Sequence, residues 1–108
     1  MDWKFENGRI FANAEDQSTL AELTYRVRED GIAVIDHTFV SSSLRGQGVA
    51  GELMKIASEY FRKHNIKIAA TCSYAHAWLE RHSQTYADIL STAFEDEATA
   101  CKLDGRHE

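Results

Sequence analysis

Between residues 41 and 49 the hydrophobic period of the chain changes from two to about 3.6, and this change limits the fold more than any other feature of the sequence. Upstream of it, Ala21, Leu23, Tyr25 and Val27 fall on one face, and Glu22, Thr24, Arg26 and Arg28 on the other. Alternation of that quality predicts a half-buried antiparallel strand from Thr19. Asp30-Gly31 supplies a hairpin turn. Ile32-Ala33-Val34-Ile35-Asp36-His37-Thr38-Phe39-Val40 follows, with both faces largely apolar. That pattern predicts a strand near the sheet centre, covered on both sides. Downstream, Val49, Leu53, Ile56, Ala57, Tyr60 and Phe61 recur at helical spacing, with Glu52, Lys55, Ser58, Glu59 and Arg62 facing outward. A central strand therefore runs into a helix through a short, glycine-bearing connection.

The remaining segments extend this plan. Asn7-Gly8 is a turn signal, the run Arg9-Ile10-Phe11-Ala12-Asn13 fits a short strand, and residues 14–18 make a polar turn. Asn65 is placed to end the first helix, and Ile66-Lys67-Ile68-Ala69-Ala70-Thr71-Cys72 has strand length. A second helix is predicted over 73–82, with Ser73 as N-cap and Tyr74, Ala77, Trp78 and Arg81 on one side. The spacing of Tyr74 and Trp78 suits a packed aromatic pair. The expected fold class is α/β (α+β): a mixed sheet in which an N-terminal antiparallel meander is followed by a strand-helix-strand-helix unit. One domain is expected over residues 1–90, with 91–108 as a C-terminal helix or flexible tail. The sequence contains no proline and no linker-like stretch to divide it.

Charge and cysteine content remove several function classes. The 108 residues carry 12 Lys plus Arg against 17 Asp plus Glu, a net charge of −5, without a basic stripe interleaved with aromatics. A phosphate-backbone partner needs clustered cations, so no nucleic-acid partner is expected. No apolar run approaches the roughly 18 residues that span a bilayer, and the acidic start Met1-Asp2-Trp3-Lys4-Phe5-Glu6 does not read as a signal peptide. Cys72 and Cys101 form neither a disulfide framework nor a metal-ligand pattern. A cytoplasmic monomer with reduced thiols, no membrane association and no metal is the expectation.

The connection Arg45-Gly46-Gln47-Gly48-Val49-Ala50 sits where a sheet offers an anion site, because backbone N–H groups and the helix dipole converge there. Glycines admit a phosphate close to the backbone, and Arg45 adds a fixed fork of donors. Glycine spacing alone also fits a plain helix start. The loop lacks the Gly-Lys-Ser/Thr of a P-loop and the third spaced glycine of a dinucleotide fingerprint.

Arg45, Gly48 and Ala50 fill the pattern of Arg or Gln, two residues, Gly, one residue, Gly or Ala, and in this the chain resembles the GNAT superfamily of acyl-CoA N-acyltransferases. With His37-Thr38, Cys72, Ser73, Tyr74, Trp78 and His82, it is similar to the minimal, YjdJ-like single-domain branch. The resemblance implies acetyl-CoA as acyl donor and an amine as acceptor, either a small molecule or an exposed peptide or lysine. Pantetheine would pair with the strand around Phe39 and Val40, an N–H near Val40 would polarise the thioester, and the pyrophosphate would rest on Gly46, Gln47, Gly48, Val49 and Ala50 beside Arg45.

Catalytic candidates follow from the same resemblance. Relatives often carry Glu where this chain has Phe39, so Asp36, His37 or a water relay would take the proton. The plainer reading of His37 is a hydrogen-bonded histidine on a buried strand. Cys72 precedes a helix N-terminus, where the dipole favours a thiolate able to accept an acetyl group; its alternative is a small buried hydrophobe. Tyr74 is placed to protonate the departing thiolate. The competing function is an acyl-CoA-binding module with little or no turnover.

Overall fold

The computed structural model of the chain describes residues 1–91. The expectations for 92–108, including a tail or helix there and any role of Cys101, lie outside the described residues. A five-stranded sheet runs in chain order, β1 (Lys4–Glu6), β2 (Arg9–Asn13), β3 (Thr19–Val27), β4 (Ala33–Val40) and β5 (Ile68–Ala70). The first three junctions are antiparallel and β4–β5 is parallel. Helices α1 (Val49–Lys63) and α2 (Ser73–Arg81) follow β4 and β5. The mixed sheet with its meander and strand-helix-strand-helix unit is the architecture the periodicity predicts. Pattern reading overlooks β1, whose three residues are all exposed and so show no apolar alternation.

Both helices cover one face of the sheet. Ile10, Ala21, Leu23, Tyr25, Ala33 and Ile35 from the strands form one buried cluster with Val49, Leu53, Met54, Ala57 and Phe61 of α1 and Ala75, Trp78 and Leu79 of α2. Truncating such a fully buried residue as Leu53 costs about 2–5 kcal/mol. α1 ends where the sequence indicates: His64 is the C-cap, and Asn65 takes the left-handed conformation at φ 57°. Ser58, expected outward, is instead fully buried in α1, and its hydroxyl has no hydrogen-bond partner among the described residues. The apolar stripe wraps further round the helix than the spacing alone shows, because β3 and β4 both lean on α1.

β4 differs from expectation in its second half. Ala33, Val34 and Ile35 are fully buried, but Asp36, His37 and Phe39 are exposed. The cause is the length of β5, which pairs with β4 only at Ala33, Val34 and Ile35 and then stops. Thr71 and Cys72 both donate their N–H to the Ile35 carbonyl, at 3.0 and 3.2 Å, and the chain then turns into α2. Asp36 is the extra residue of a bulge, since Thr24 pairs with His37 and Tyr25 with Ile35. Beyond that point, among the described residues, β4 has β3 on one side and no strand on the other. No helix among the described residues is long and apolar enough to cross a membrane.

Candidate active site

The gap beside β4 presents backbone polar groups to whatever enters it. Ser41 N–H donates to the Leu20 carbonyl at 2.8 Å, so Leu20 and Ser41 form a hydrogen-bonding pair. Antiparallel pairs alternate, so Glu22–Phe39 and Thr24–His37 also face each other through hydrogen bonds. The N–H and C=O groups of Thr38 and Val40 therefore point away from β3, past the end of β5. The same alternation puts the Thr38 and Val40 side chains on the helix-covered face, opposite Leu23 and Ala21.

The strand leads into a 3-10 turn (Ser42–Leu44) capped by Ser41, and then into the glycine loop. Gly46 and Gly48 stand at φ 83° and 76°, conformations a side chain resists, and Gly48 is the N-cap of α1 without any side-chain cap. The Glu52 N–H closes the first helical bond to the Gly48 carbonyl at 3.0 Å. The N–H groups of Val49, Ala50 and Gly51 consequently have no acceptor in the helix, as in any uncapped first turn. Gln47 returns its side-chain amide to the Ser43 carbonyl at 3.3 Å and braces the loop.

Two adjoining hollows join strand, loop and second helix. One, of about 290 Å³, is lined by Thr38, Phe39, Val40, Arg45, Ala50 and Tyr74. The next, of about 190 Å³, shares Val40, Arg45, Ala50 and Tyr74 and adds Leu44, Gly46, Gly48, Val49 and Gly51. Thr38, which lines the first hollow, has its Oγ1 3.5 Å from the Sγ of Cys72, a half-buried free thiol that itself lines neither hollow. Cys72 is the N-cap of α2, the place the sequence suggests for Ser73, and its side chain makes no capping bond. The thiol is thus turned to Thr38 rather than to its own helix.

Most of the sequence-designated residues converge here, but not all. Phe39, Val40, Arg45, Gly46, Gly48, Val49 and Ala50 line the cleft, and Tyr74 closes it from α2. Tyr74 does not pair with Trp78. It is 37% exposed, whereas Trp78 stacks on His82 with centroids 4.0 Å apart. His37 is exposed, not buried on its strand, and lies on the face opposite Thr38 with Thr24 as its partner. It lines neither hollow. Asp36 accepts the Thr24 hydroxyl at 2.6 Å. Neither hollow has a carboxylate or an imidazole in its lining. Thr38 is the residue pattern reading passes over, although the alternation that brings Val40 to the cleft brings Thr38 with it.

Comparisons with known proteins place the chain in a family. The model of one protein family, described as GCN5-related N-acetyl-transferase, matches residues 9–89. The chain belongs to the GCN5-related N-acetyltransferases. The solution structure of a GCN5-like N-acetyltransferase candidate from Staphylococcus aureus is 37% identical, with a TM-score of 0.69 over 83% of this chain and 87% of that one. A GCN5-related N-acetyltransferase from Sphaerobacter thermophilus shares the fold at 15% identity and a TM-score of 0.51, over 70% of this chain and 28% of its own. As a member of this family the chain is an N-acetyltransferase. Its match begins at β2 and ends past α2, so all residues of the cleft fall inside it.

Proposed function

We propose that the chain transfers an acetyl group from acetyl-CoA to a primary amine on an exposed chain or small molecule, with Cys72 as the acetyl carrier. The observation that carries this reading is the cleft itself. It runs from Thr38, whose hydroxyl lies beside Cys72 Sγ, past Val40 to the loop residues Val49 and Ala50. Acetyl-pantetheine has the length and the hydrogen-bonding pattern of a strand and would take the place β5 leaves vacant. Arg45 and the α1 N-terminus would hold the pyrophosphate. No metal enters this scheme.

In this scheme the Val40 N–H donates to the thioester oxygen as it becomes negative. The Cys72 thiol gives its proton to water as its sulfur attacks the carbonyl carbon, a new C–S bond forms and the bond to the CoA sulfur breaks. The CoA thiolate leaves and takes a proton from solvent or from the Tyr74 hydroxyl. The amine then attacks the acetyl-cysteine, a C–N bond forms, the acyl C–S bond breaks and Cys72 leaves as a thiolate that water reprotonates; the amine proton goes to water. Two transfers through sulfur fit a cleft without a carboxylate or imidazole in its lining, since the thiol supplies the nucleophile directly. Among the described residues no helix precedes β4, so the acceptor side is open, which favours an exposed amine over an enclosed one.

The same lack of a base in the lining favours a second reading, an acyl-CoA-binding module with little turnover. The experiment that separates them is acetyl transfer to a panel of amines by the parent and by Cys72→Ala. Transfer by the parent, lost in Cys72→Ala while acetyl-CoA still binds, establishes the carrier mechanism. Binding without transfer by either protein supports the module.

A further inference from the structure

Among the described residues β1 pairs with β2 alone and forms one edge of the sheet. The Tyr25 N–H donates to the Gly8 carbonyl at 3.0 Å, so by alternation Ile10 also bonds to β3, at Leu23. The backbone groups of Arg9 and Phe11 therefore face β1, where they meet Glu6 and Lys4. The N–H and C=O of Phe5 point the other way, out of the sheet, as a template for a further strand.

The side chains of β1 restrict what that strand is. Phe5 lies opposite buried Ile10 and so shares the helix-covered face. It stacks on Tyr60 of α1 with centroids 4.9 Å apart, yet is 45% exposed. Tyr60 in turn lies 4.5 Å from the His64 ring, so a row of rings runs out to the edge and ends there uncovered. Lys4 and Glu6 occupy the other face. They reach Asp2 at 3.6 Å and Arg9 at 3.7 Å in exposed ion pairs that a second partner can share.

Charge and hydrogen bonding together select one arrangement. By alternation Trp3 and Asn7 also turn their backbone groups outward, so a second, antiparallel β1 can bond to Phe5 in three registers. Phe5 opposite Trp3 sets Lys4 against Lys4, and Phe5 opposite Asn7 sets Glu6 against Glu6. Like charges directly opposite destabilise a sheet. Phe5 opposite Phe5 sets each Lys4 against Glu6 of the other copy and joins the two aromatic rows. We propose that two copies of this chain pair through β1 in this last register, about a twofold axis at Phe5, so that their two five-stranded sheets become one. Each Phe5 N–H donates to the other Phe5 carbonyl, and two Lys4–Glu6 pairs flank the axis. β2 and β3 separate β1 from β4, so both clefts stay open at the far ends of the joint sheet. The contact is much shorter than a standard protein interface, which sets a dissociation constant on the order of 100 µM. Well below that concentration the chain is the monomer expected from its sequence.

The test is sedimentation equilibrium of the full chain from about 10 µM to about 1 mM, in about 0.15 M salt, where repulsion between the two acidic chains is screened. The parent is compared with Lys4→Glu, Glu6→Lys and the double charge swap, each checked for folding by circular dichroism. Either single reversal opposes like charges on both sides of the axis and raises the dissociation constant about tenfold or more. The double swap restores opposite charges in the same register and brings the constant back to within about threefold of the parent. A parent that stays monomeric throughout overturns the proposal. A dimer unmoved by the single reversals, or not recovered by the double swap, overturns it as well.

Discussion

Thr38 Oγ1 on β4 lies 3.5 Å from Cys72 Sγ at the start of α2, and this contact spans the gap where β4 and β5 part. It ties the orientation of the thiol to the strand that presents the Val40 N–H. A group that must attack a bound thioester gains from being held in that way.

Cys72 and Thr38 should therefore separate chemistry from binding. Cys72→Ala is expected to lower acetyl transfer on the order of a thousandfold or more while acetyl-CoA affinity stays within a small factor. Thr38→Val keeps the shape and removes the hydroxyl, and should lower the rate about tenfold, the worth of one hydrogen bond. Rapid-quench mass spectrometry should show one acetyl group on the parent and none on Cys72→Ala. An acetylated Cys72→Ala chain would disprove the carrier role.

Two neighbouring glycines should respond to alanine with opposite signs. Gly48 sits at φ 76° with nothing near its Cβ position, so Gly48→Ala strains only the backbone, by about 1–2 kcal/mol. Gly51 lies inside α1, where alanine is the better helix former and an added methyl would meet Trp78 at ordinary van der Waals distance; Gly51→Ala should stabilise by about 0.5–1 kcal/mol. In thermal melts the first variant drops Tm by roughly 4–8 °C per kcal/mol lost and the second raises it. A rise for both would show that the loop does not need the left-handed conformation.

Ser58 gives a prediction for the core. Its buried hydroxyl has no hydrogen-bond partner among the described residues, and Ser58→Ala removes that unsatisfied group at little change in volume. Stability to urea should increase by about 1 kcal/mol or more. Destabilisation would show that the hydroxyl is bonded in solution.

The Arg62–Asp88 pair fixes the segment after α2 to α1. Arg62 Nε donates to Asp88 Oδ2 at 3.0 Å and Nη2 to Oδ1 at 2.9 Å, and this guanidinium holds the Asp88 carboxyl below its ordinary value. A carboxyl lowered by folding contributes stability above its unfolded pKa and loses it as pH falls through the folded value. Asp88→Asn should therefore melt below the parent near neutrality, and the difference should close as pH falls through the carboxylate range, about 4 and below. A difference independent of pH would assign the effect to packing.

The topology is readable from sequence because each long element has one clean period. Thr19–Val27 alternates without a break and Val49–Lys63 keeps its stripe, so their types and order follow directly. The loop is readable because Arg45, Gly48 and Ala50 are local and backbone-determined. The open half of β4 is not, since Asp36, His37 and Phe39 are exposed only because β5 stops after Ala70, a tertiary fact. Tyr74 is misread for a similar reason: helical spacing puts it near Trp78, but His82 takes the tryptophan face and leaves Tyr74 to the cleft. Ser58 is hidden because polarity outweighs position when a face is assigned from residue type.

The glycine loop as a phosphate site is tested most directly by calorimetric titration of acetyl-CoA into the parent chain and into an Arg45→Glu, Gly48→Glu double variant. Micromolar binding by the parent is expected, about −8 kcal/mol, together with its loss in a variant that remains folded by circular dichroism. A folded parent that does not bind acetyl-CoA, or a double variant that binds it as well, would contradict the assignment of the loop and of the cleft it feeds.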